Sequence, residues 1–320
     1  MNVPGPTKGA PVSFESVSVR YPKLDRNAVD DVSFEIPASS FTVFLGPSGC
    51  GKSTLLRTVN RLVVPASGRV TVDGRDVADA PPEQLRRGIG YVIQAVGLFS
   101  HLTVAQNIAV VPQLVGWDRD RITKRVDELL ALVALDASRY RGRYPRELSG
   151  GEQQRVGVAR AIAAEPPVLL MDEPFGAVDA IVRASLQDET RRIARTLKTT
   201  ILFVTHDVDE ALRLADRIVV LREGKVVQYD TPLAILTAPA TEYVERLLDT
   251  HDVVRRLSLM QAADAMRAPV AATDGAIAAH ASLRESLALF LQGAQTLAVT
   301  NDGTIAGALT FDDIQQALRR

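Results

Sequence analysis

The chain has 320 residues, a formal net charge of −1 and a hydrophobic content of 46%, as an ordinary soluble globular protein does. This length is enough for one large domain and a smaller one. The near-neutral charge gives no electrostatic footprint for nucleic acid, so we expect no nucleic-acid partner. The single cysteine, Cys50, excludes an internal disulfide bond and suits a reducing compartment.

Neither a signal peptide nor a membrane span is expected. Residues 1–11 are rich in Pro and Gly and have no apolar core, which predicts a disordered N-terminus. No apolar run approaches the roughly 18 to 20 residues that cross a bilayer. If the protein works at a membrane, another chain must provide the span.

Short strand-like segments predict two kinds of sheet. Residues 12–21 and 32–36 alternate apolar and polar side chains, and residues 68–77 read as a strand, an Asp-Gly turn and a second strand. Three short runs are apolar throughout: FTVFL (41–45), VLLM (168–171) and ILFV (201–204). Continuously apolar strands separated by helical stretches predict a parallel sheet that is buried on both faces. In such sheets, ligands bind beyond the carboxyl ends of the strands.

A helix-rich block is predicted over residues 95–164. Apolar residues recur there at helical spacing: Ile122, Val126, Leu129, Leu130 and Val133. After about residue 260 the pattern changes to a compact α+β module. Its predicted elements are a helix over 283–291, a strand over 296–300, a turn at Asp302-Gly303, a strand over 304–309 and a helix over 311–320. We therefore expect one domain over residues 12–248, followed by a connector and a small module over 249–320.

The segment GPSGCGKST directly follows the apolar strand 41–45 and fits G-x-x-x-x-G-K-[ST]. Glycines let backbone N–H groups converge on an anion, and the next helix presents its positive end. Lys52 adds a charge between β- and γ-phosphates, and Ser53 can place its hydroxyl on Mg²⁺. The candidate nucleotide-binding residues of this phosphate loop are Gly46, Pro47, Ser48, Gly49, Cys50, Gly51, Lys52, Ser53 and Thr54. Cys50 is interpreted as a tolerated small residue. Thiol reagents that modify it are still expected to block the site.

Polar side chains follow three other predicted strands. Asp172 and Glu173 end VLLMDEP; Asp172 is placed to hold Mg²⁺ through water, and Glu173 to orient or deprotonate the attacking water. His206 ends ILFVTH and is predicted to emerge at the same sheet edge, where it can sense a γ-phosphate. Gln94 follows a short strand over 89–93 and can contact Mg²⁺ or the water from that edge.

The segment LSGGEQQRV precedes a helix. Ser149 and Glu152 have the spacing of a capping box. Glycine costs a helix roughly 1 kcal/mol relative to alanine, so the box does not explain why Gly150 and Gly151 follow. This helix start therefore requires bare backbone for another reason.

In this order, the phosphate loop, Gln94, LSGGEQQRV, LLMDEP, GAVD and His206 resemble the ATP-binding subunit of ABC transporters over residues 12–245. The resemblance implies an α/β P-loop NTPase fold of ABC type, with a parallel sheet core, an antiparallel β subdomain and a helical subdomain. It implies ATP and Mg²⁺ as ligands, with Ser53, Gln94 and Asp172 at the metal. It also implies that adenine stacks on Tyr21.

The resemblance further implies a head-to-tail dimer that holds two ATP molecules. Ser149, Gly150 and Gly151 of one subunit then cap the γ-phosphate that the other subunit's loop holds. Asp179 of GAVD would link the two sites, although the family more often has Leu where Val178 stands. This arrangement would explain why glycine stands at positions 150 and 151, because a side chain there would block the partner's phosphate.

The implied partners are a second copy or a related ATPase subunit, integral membrane permease subunits and, indirectly, an extracytoplasmic substrate-binding protein. The subunit would lie peripherally on the cytoplasmic face of the membrane. In the segment after Gln94, Leu98, Phe99 and Trp117 are candidates for docking a membrane-subunit helix; alternatively, they belong to the domain's own core.

The sequence of residues 89–117 is most similar to that of importers of quaternary amines such as glycine betaine, choline or carnitine. Proline is a further osmoprotectant among the expected solutes. GALTFDDI (307–314) resembles the end of a CBS domain, and only one convincing copy is present. There, Thr310 and Asp313 match adenosine-contacting positions, but they also form a plain helix-capping pattern, which we favour. Two such modules could pair across a dimer and regulate it.

Two other functions stay open at this point. One is an ATPase subunit of an importer for another solute class; those subunits usually end in a strand-rich barrel. The other is a soluble ABC-type ATPase acting on nucleic acid or ribosomes, which usually has two ATP-binding halves in one chain. A purely regulatory nucleotide-binding protein would be expected to lack Glu173 or His206.

Overall fold

The computed structural model of the chain describes residues 9–22, 24–94, 97–176, 180–269 and 273–319. Its contacts divide the chain into two compact units, Met1–Tyr229 and Asp230–Arg320. By these contacts, residues 230–248 group with the C-terminal unit, and the boundary after residue 248 stays a prediction.

The strands of the first unit are β1 (Val12–Val19), β2 (Val29–Ile36), β3 (Phe41–Leu45), β4 (Ser67–Val72), β5 (Arg75–Asp76), β6 (Ile89–Val92), β7 (Val168–Asp172), β8 (Thr200–Thr205), β9 (Arg217–Arg222) and β10 (Lys225–Asp230). Its helices are α1 (Lys52–Val59), α2 (Pro82–Arg87), α3 (Val104–Leu114), α4 (Arg119–Leu132), α5 (Ala137–Tyr140), α6 (Gly150–Ile162), α7 (Ala180–Leu197) and α8 (Val208–Leu214), with a 3₁₀ turn at Pro145–Glu147.

Residues 9 and 10, which the sequence places in a disordered N-terminus, are ordered. The Gly9 N–H donates to the carbonyl of Lys198, and the Ala10 N–H donates to that of Pro167. Ala10 is buried. Residues 9 and 10 are therefore held against the core of this unit.

The central sheet has the order β10-β9-β3-β8-β7-β6. β3 is parallel to β8 and β9, and β7 is parallel to β6 and β8. Every residue of β3, β7 and β8 is buried, which is why each of these strands is apolar along nearly its whole length. The predicted parallel sheet is confirmed, and its carboxyl edge carries the ends of β3, β6, β7 and β8.

A second sheet, in the order β2-β1-β4-β5, is antiparallel, as predicted. Its apolar face joins a core with residues of β3, β8 and α1. Phe14 stacks on Phe34 at 4.8 Å between ring centroids, and Phe44 packs edge-on to both. This sheet therefore supports β3 and the phosphate loop that follows it.

The helical block contains α3 to α6. A side chain caps the start of each of these helices: Thr103 for α3, Asp118 for α4, Asp136 for α5 and Ser149 for α6. The predicted apolar face of α4 is buried in full: Ile122, Val126, Leu129, Leu130 and Val133.

The second unit contains α9 (Pro232–Thr237), α10 (Glu242–Leu248), α11 (Val253–Leu259), α12 (Ala262–Ala265), β11 (Gly275–Ala278), α13 (Leu283–Leu291), β12 (Thr296–Asn301), β13 (Thr304–Thr310) and α14 (Phe311–Arg319). β12 lies between β11, to which it is parallel, and β13, to which it is antiparallel. The predicted order of helix, strand, turn, strand and helix is correct.

At the start of α14, Oδ2 of Asp313 accepts hydrogen bonds from the backbone N–H and the hydroxyl of Thr310, at 2.8 and 2.6 Å. These bonds agree with the capping interpretation of the two residues. Across both units, none of the helices in the described ranges has the length and hydropathy needed to span a bilayer.

Candidate active site

The phosphate loop depends on glycine at its two ends. Gly46 and Gly51 have φ values of 155° and 109°, which other residues adopt only with strain. A Cβ atom would lie 2.4 Å from the carbonyl oxygen of Leu221 at Gly46, and 2.4 Å from that of Ala28 at Gly51. The loop therefore threads between two backbones that leave no room for a side chain.

Lys52 begins α1 directly after this loop and is only 4% exposed. Its Nζ donates hydrogen bonds of 2.7 Å to the carbonyl oxygen of Gly46 and 3.0 Å to that of Pro47. The N-cap residue of α1 is Gly51, which has no side chain with which to cap the helix. The ammonium group and the first N–H groups of the helix are thus directed to the loop, as an anion site requires.

Two predicted metal ligands are in direct contact. The hydroxyl of Ser53 donates a 2.7 Å hydrogen bond to Oδ1 of Asp172, the last residue of β7. Arg57 and Tyr91, which the sequence analysis did not select, contact the other carboxylate oxygen. β3 and β7 end at the same edge of one parallel sheet, so Gly46 and Asp172 lie at one sheet edge, as predicted.

Glu173 and His206 lie together beside the predicted metal ligands. Nδ1 of His206 is 3.2 Å from Oε2 of Glu173, and the Glu173 N–H donates to the carbonyl of Val204. Glu173 adopts a φ of 44°, in the left-handed region. Such strain costs of order 1 to 3 kcal/mol, and it is found mostly where function requires it.

Tyr21 and Gln94 border the same edge. The hydroxyl groups of Tyr21 and Thr54 are 3.3 Å apart, so the exposed tyrosine is tied to the first turn of α1. A Cβ atom at Gly176 would lie 3.8 Å from Nε2 of Gln94, which places this amide beside the loop that follows Glu173. Ser48 is exposed, and Gly49 has a φ of 77° with open space around its Cα.

Cys50 is buried within the phosphate loop, and burial raises the pKa of its thiol above the ordinary value. Its backbone carbonyl accepts a hydrogen bond from the N–H of Gly224. These contacts fit a small structural residue better than a reactive thiolate.

The predicted signature residues begin α6. Ser149 accepts from the Glu152 N–H, and the Ser149 N–H donates to Oε2 of Glu152 at 2.7 Å, so the capping box is complete. Gly150 has no positive φ, and a Cβ atom there would meet nothing within 4 Å. The fold of the single chain therefore gives no reason for glycine at position 150. Asp179 lies outside the described residues.

A buried polar network that the sequence analysis missed holds the turn at His206. The Thr205 hydroxyl donates to Oε2 of Glu210 at 2.7 Å and accepts from the Asp207 N–H at 3.0 Å. Nε2 of Gln187, on α7, donates to Oε1 of Glu210. The Asp207-x-x-Glu210 spacing is a capping signal that could have selected these residues.

The turn before α3 is held by one buried side chain. Oδ1 of Asn107 accepts from the Phe99 N–H, and Nδ2 donates to the carbonyls of Phe99, Leu102 and Thr103. Phe99 itself is 43% exposed, and the guanidinium of Arg160 lies 5.6 Å from its ring centroid.

These residues fit a Mg²⁺–nucleotide. Ser53 and Asp172 offer a hydroxyl and a carboxylate, which are the oxygen ligands that Mg²⁺ accepts beside phosphates. Within the described ranges, no group of three or more His, Cys, Asp and Glu side chains is placed to hold a metal. The site therefore suits a cation that arrives with phosphates rather than one held in an all-protein cage.

Comparisons with known proteins agree with this geometry. The profile of the family "ABC transporter" matches residues 29–176. The glycine betaine uptake system ATP-binding protein YehX of Escherichia coli (strain K12) is 49% identical over 292 residues, which cover 90% of this chain and 94% of YehX. The chain belongs to the ATP-binding subunits of ABC transporters.

Two further similarities extend this assignment. The glycine betaine/carnitine/choline transport ATP-binding protein OpuCA of Bacillus subtilis (strain 168) is 50% identical over 244 residues, which make up 76% of this chain. The matched region covers 64% of OpuCA, so this chain spans less than two thirds of that protein. The ATP-binding cassette MJ0796, solved as a dimer in a post-hydrolysis state with ADP and Pi, is 30% identical with a TM-score of 0.62. It covers 69% of this chain and 98% of its own. As an ATP-binding subunit, the chain binds ATP. The geometry of the phosphate loop, with Lys52 and the start of α1 directed to it, suits the phosphates of this ligand.

Proposed function

We propose that this chain is the ATP-hydrolysing subunit of an osmoprotectant importer, whose solutes are quaternary amines such as glycine betaine, choline and carnitine, or proline. It works peripherally on the cytoplasmic face of the membrane, beside permease subunits that receive solute from an extracytoplasmic binding protein. The hydrogen bond between Ser53 and Asp172, with Glu173 next in the chain, is the observation that carries the hydrolytic part. The names of YehX and OpuCA support the class of solute.

The side chains divide the work of hydrolysis. Lys52 and the N–H groups at the start of α1 bind the β- and γ-phosphates of ATP. Ser53, Asp172 (through water) and Gln94 would hold Mg²⁺, which would neutralise charge on the phosphates. Glu173 orients or deprotonates the attacking water, and His206, 3.2 Å from Glu173, donates a hydrogen bond to the γ-phosphate. The aromatic ring of Tyr21 carries the adenine.

Two copies pack head to tail so that the signature residues of one cap the nucleotide of the other. The free space around Gly150 supports this arrangement, because no contact with the described residues of its own chain requires a glycine there. Ser149 would supply a hydroxyl, and Gly150 and Gly151 would supply N–H groups at the positive end of α6. ATP then stabilises the closed dimer, and hydrolysis releases it. Asp179 is proposed to connect the two sites.

Phe99 is proposed to receive a helix of a membrane subunit. Its ring is exposed on a turn that Asn107 fixes, whereas Leu98 and Trp117 are half-buried. Trp117 is covered by the guanidinium of Arg121 at 3.4 Å from the ring centroid. If Phe99→Ala left both ATPase activity and assembly with the membrane subunits unchanged, we would abandon this docking role.

The C-terminal module is proposed to be a single CBS-like domain that regulates transport, pairing across the dimer. Transport by a variant that ends near residue 255 tests the regulation. An unchanged response to salt and nucleotides would exclude a regulatory role.

The function is tested in two steps. Purified wild type and Glu173→Gln are compared for mant-ATP binding and phosphate release, and we expect the variant to bind but to lose at least about 100-fold in kcat. Hydrolysis by Glu173→Gln at the wild-type rate would falsify the assignment of the base. Uptake of labelled glycine betaine, choline and carnitine is then measured with the cognate membrane subunits, and uptake of other solutes alone would exclude the proposed substrate class.

A further inference from the structure

The two oxygens of the Asp172 carboxylate are held from different sides. Oδ1 accepts the 2.7 Å bond from Ser53. Oδ2 accepts a 3.0 Å hydrogen bond from Nη2 of Arg57 and a 3.4 Å hydrogen bond from the hydroxyl of Tyr91. We call Arg57 and Tyr91 the Oδ2 clamp. Neither residue belongs to the motifs that define the site.

The clamp is formed by two elements on either side of Asp172. Arg57 lies four residues after Ser53 on α1, so both side chains leave the same helix face. Tyr91 lies on β6, the parallel neighbour of β7, and is paired with Leu170 in the strand register. The carboxylate is therefore fixed relative to both the phosphate loop and the edge strand.

This fixation determines which way the Ser53 hydroxyl faces. A hydroxyl that donates its only hydrogen to Oδ1 turns its lone pairs away from Asp172, and a lone pair is what a cation requires. If Oδ2 had no hydrogen-bond partner, the carboxylate of Asp172 could rotate about the Cβ–Cγ bond. Its 5% exposed side chain has the clamp and Ser53 as its hydrogen-bond partners among the described residues.

We propose that Arg57 and Tyr91 are positioning residues for the Mg²⁺ site: by holding Oδ2 they orient Asp172, and through it the hydroxyl of Ser53, for the cation. This inference rests on the proposed Mg²⁺-dependent hydrolysis of ATP. Groups that hold a metal ligand from behind normally set its direction and affinity.

The charge of Arg57 makes the direction of its effect informative. A guanidinium close to a divalent cation repels it, so an Arg57 that acted only through charge would weaken Mg²⁺ binding. Its removal would then strengthen the binding. A positioning role predicts the opposite result.

The experiment measures the affinity of the full-length chain for mant-ATP in excess Mg²⁺ and again in EDTA, and the ratio of the two affinities reports the metal site. We expect Arg57→Met to lower this ratio about tenfold, and Tyr91→Phe about threefold because its bond is longer. Arg57 is 46% exposed, so methionine fits there without disturbing the core. Affinity in EDTA should stay within about twofold for both variants, because Arg57 and Tyr91 lie outside the phosphate loop.

Two controls carry the same chemical changes elsewhere in the N-terminal unit. Tyr229→Phe removes a hydroxyl that donates to the Glu35 carbonyl, and Arg69→Met removes an exposed ion pair with Glu15. Neither should change the ratio. Thermal unfolding confirms that each variant is folded.

Asp172→Asn and Ser53→Ala separate the clamp from the site it serves. If these two lower the ratio while Arg57→Met and Tyr91→Phe leave it unchanged or raise it, the clamp is wrong and the metal site stands. If all four leave the ratio unchanged, the proposed metal site itself is wrong, and the clamp with it. A lowered ratio in all four supports both.

Discussion

Nζ of Lys52 lies 2.7 Å from the carbonyl oxygen of Gly46, so the ammonium group that is expected to bind phosphate also closes the loop that surrounds it. A buried ammonium needs such partners, because an unpaired charge is costly inside a protein. Phosphate oxygens would join or replace these carbonyls when nucleotide binds. The loop is thus already folded in the free chain.

Lys52→Ala should weaken mant-ATP binding by about 2 kcal/mol, or about 30-fold in Kd, because a charge-assisted hydrogen bond is lost. It should also lower the Tm without nucleotide, because the carbonyls of Gly46 and Pro47 lose their donor. Titration and thermal unfolding measure the two effects. Lys124→Ala, at an exposed position on α4, is the control. Wild-type affinity in Lys52→Ala would contradict the assignment of the loop.

Gly150→Ala should leave the single chain intact and impair the dimer. Alanine at the first position of α6 has open space and favours a helix, so the Tm should stay equal or rise by an amount worth up to about 1 kcal/mol. ATP-dependent dimerisation of the hydrolysis-deficient chain should fall at least about tenfold, because a methyl group then meets the partner's phosphate. Sedimentation with and without MgATP measures this change.

Gly142→Ala is the matched control, since a Cβ atom at Gly142 also meets nothing within 4 Å and the residue has no positive φ. Equal dimerisation of the two variants would mean that position 150 does not face a nucleotide across the dimer.

The buried carboxyl of Glu210 predicts a pH-dependent stability. Burial raises its pKa above the ordinary value of 4.5. The folded protein then binds this proton more tightly than the unfolded chain, so the stabilising contribution is complete below pH 4.5 and is lost as the pH rises through the folded pKa. Glutamine does not titrate. The stability of the wild type relative to Glu210→Gln should therefore fall as the pH rises.

Thermal unfolding of both proteins between about pH 4 and pH 8 measures this difference. Glu15→Gln, which alters an exposed carboxylate, provides the comparison. A wild type that gains stability relative to Glu210→Gln with rising pH would show that the network around Thr205 and Gln187 favours the charged form.

The burial of Cys50 revises the expectation from sequence that thiol reagents can block the site: Cys50 should resist them in the native chain. Because it is buried and burial raises its pKa, its thiolate is scarce near neutral pH. We expect the reaction with DTNB at pH 7.5 to be about two orders of magnitude slower than in denaturant. The chain has one cysteine, so the absorbance reports this thiol alone. Fast labelling that ATP suppresses would instead show an open loop.

The parallel sheet could be predicted from sequence because its central strands are buried on both faces. Burial on both faces requires an apolar residue at nearly every position, and β3, β7 and β8 match the predicted runs to within one residue at each end. The hairpin of β9 and β10 was missed. Its signal, two valine-rich runs around Glu223-Gly224, is present, and both turn residues have positive φ.

The part of the site that lies at the ends of the strands could be predicted from the order of the strands along the chain. Ser53 and Asp172 follow strands of one parallel sheet, so their meeting could be expected. The contacts of Arg57 and Tyr91 with Asp172 could not, because they join different elements that no local spacing relates. Sequence spacing reports which side chains share a face, whereas hydrogen bonds between different elements depend on the packed fold.

The single amide of Asn107 has a mechanical consequence. By bonding the backbone at Phe99, Leu102 and Thr103, it makes that turn rigid and continuous with α3. A load applied to the exposed ring of Phe99 is therefore transferred to the helix as a displacement, instead of being dissipated by bending of the turn. The buried side chain of Asn107 thus makes the turn and α3 move together as one rigid element.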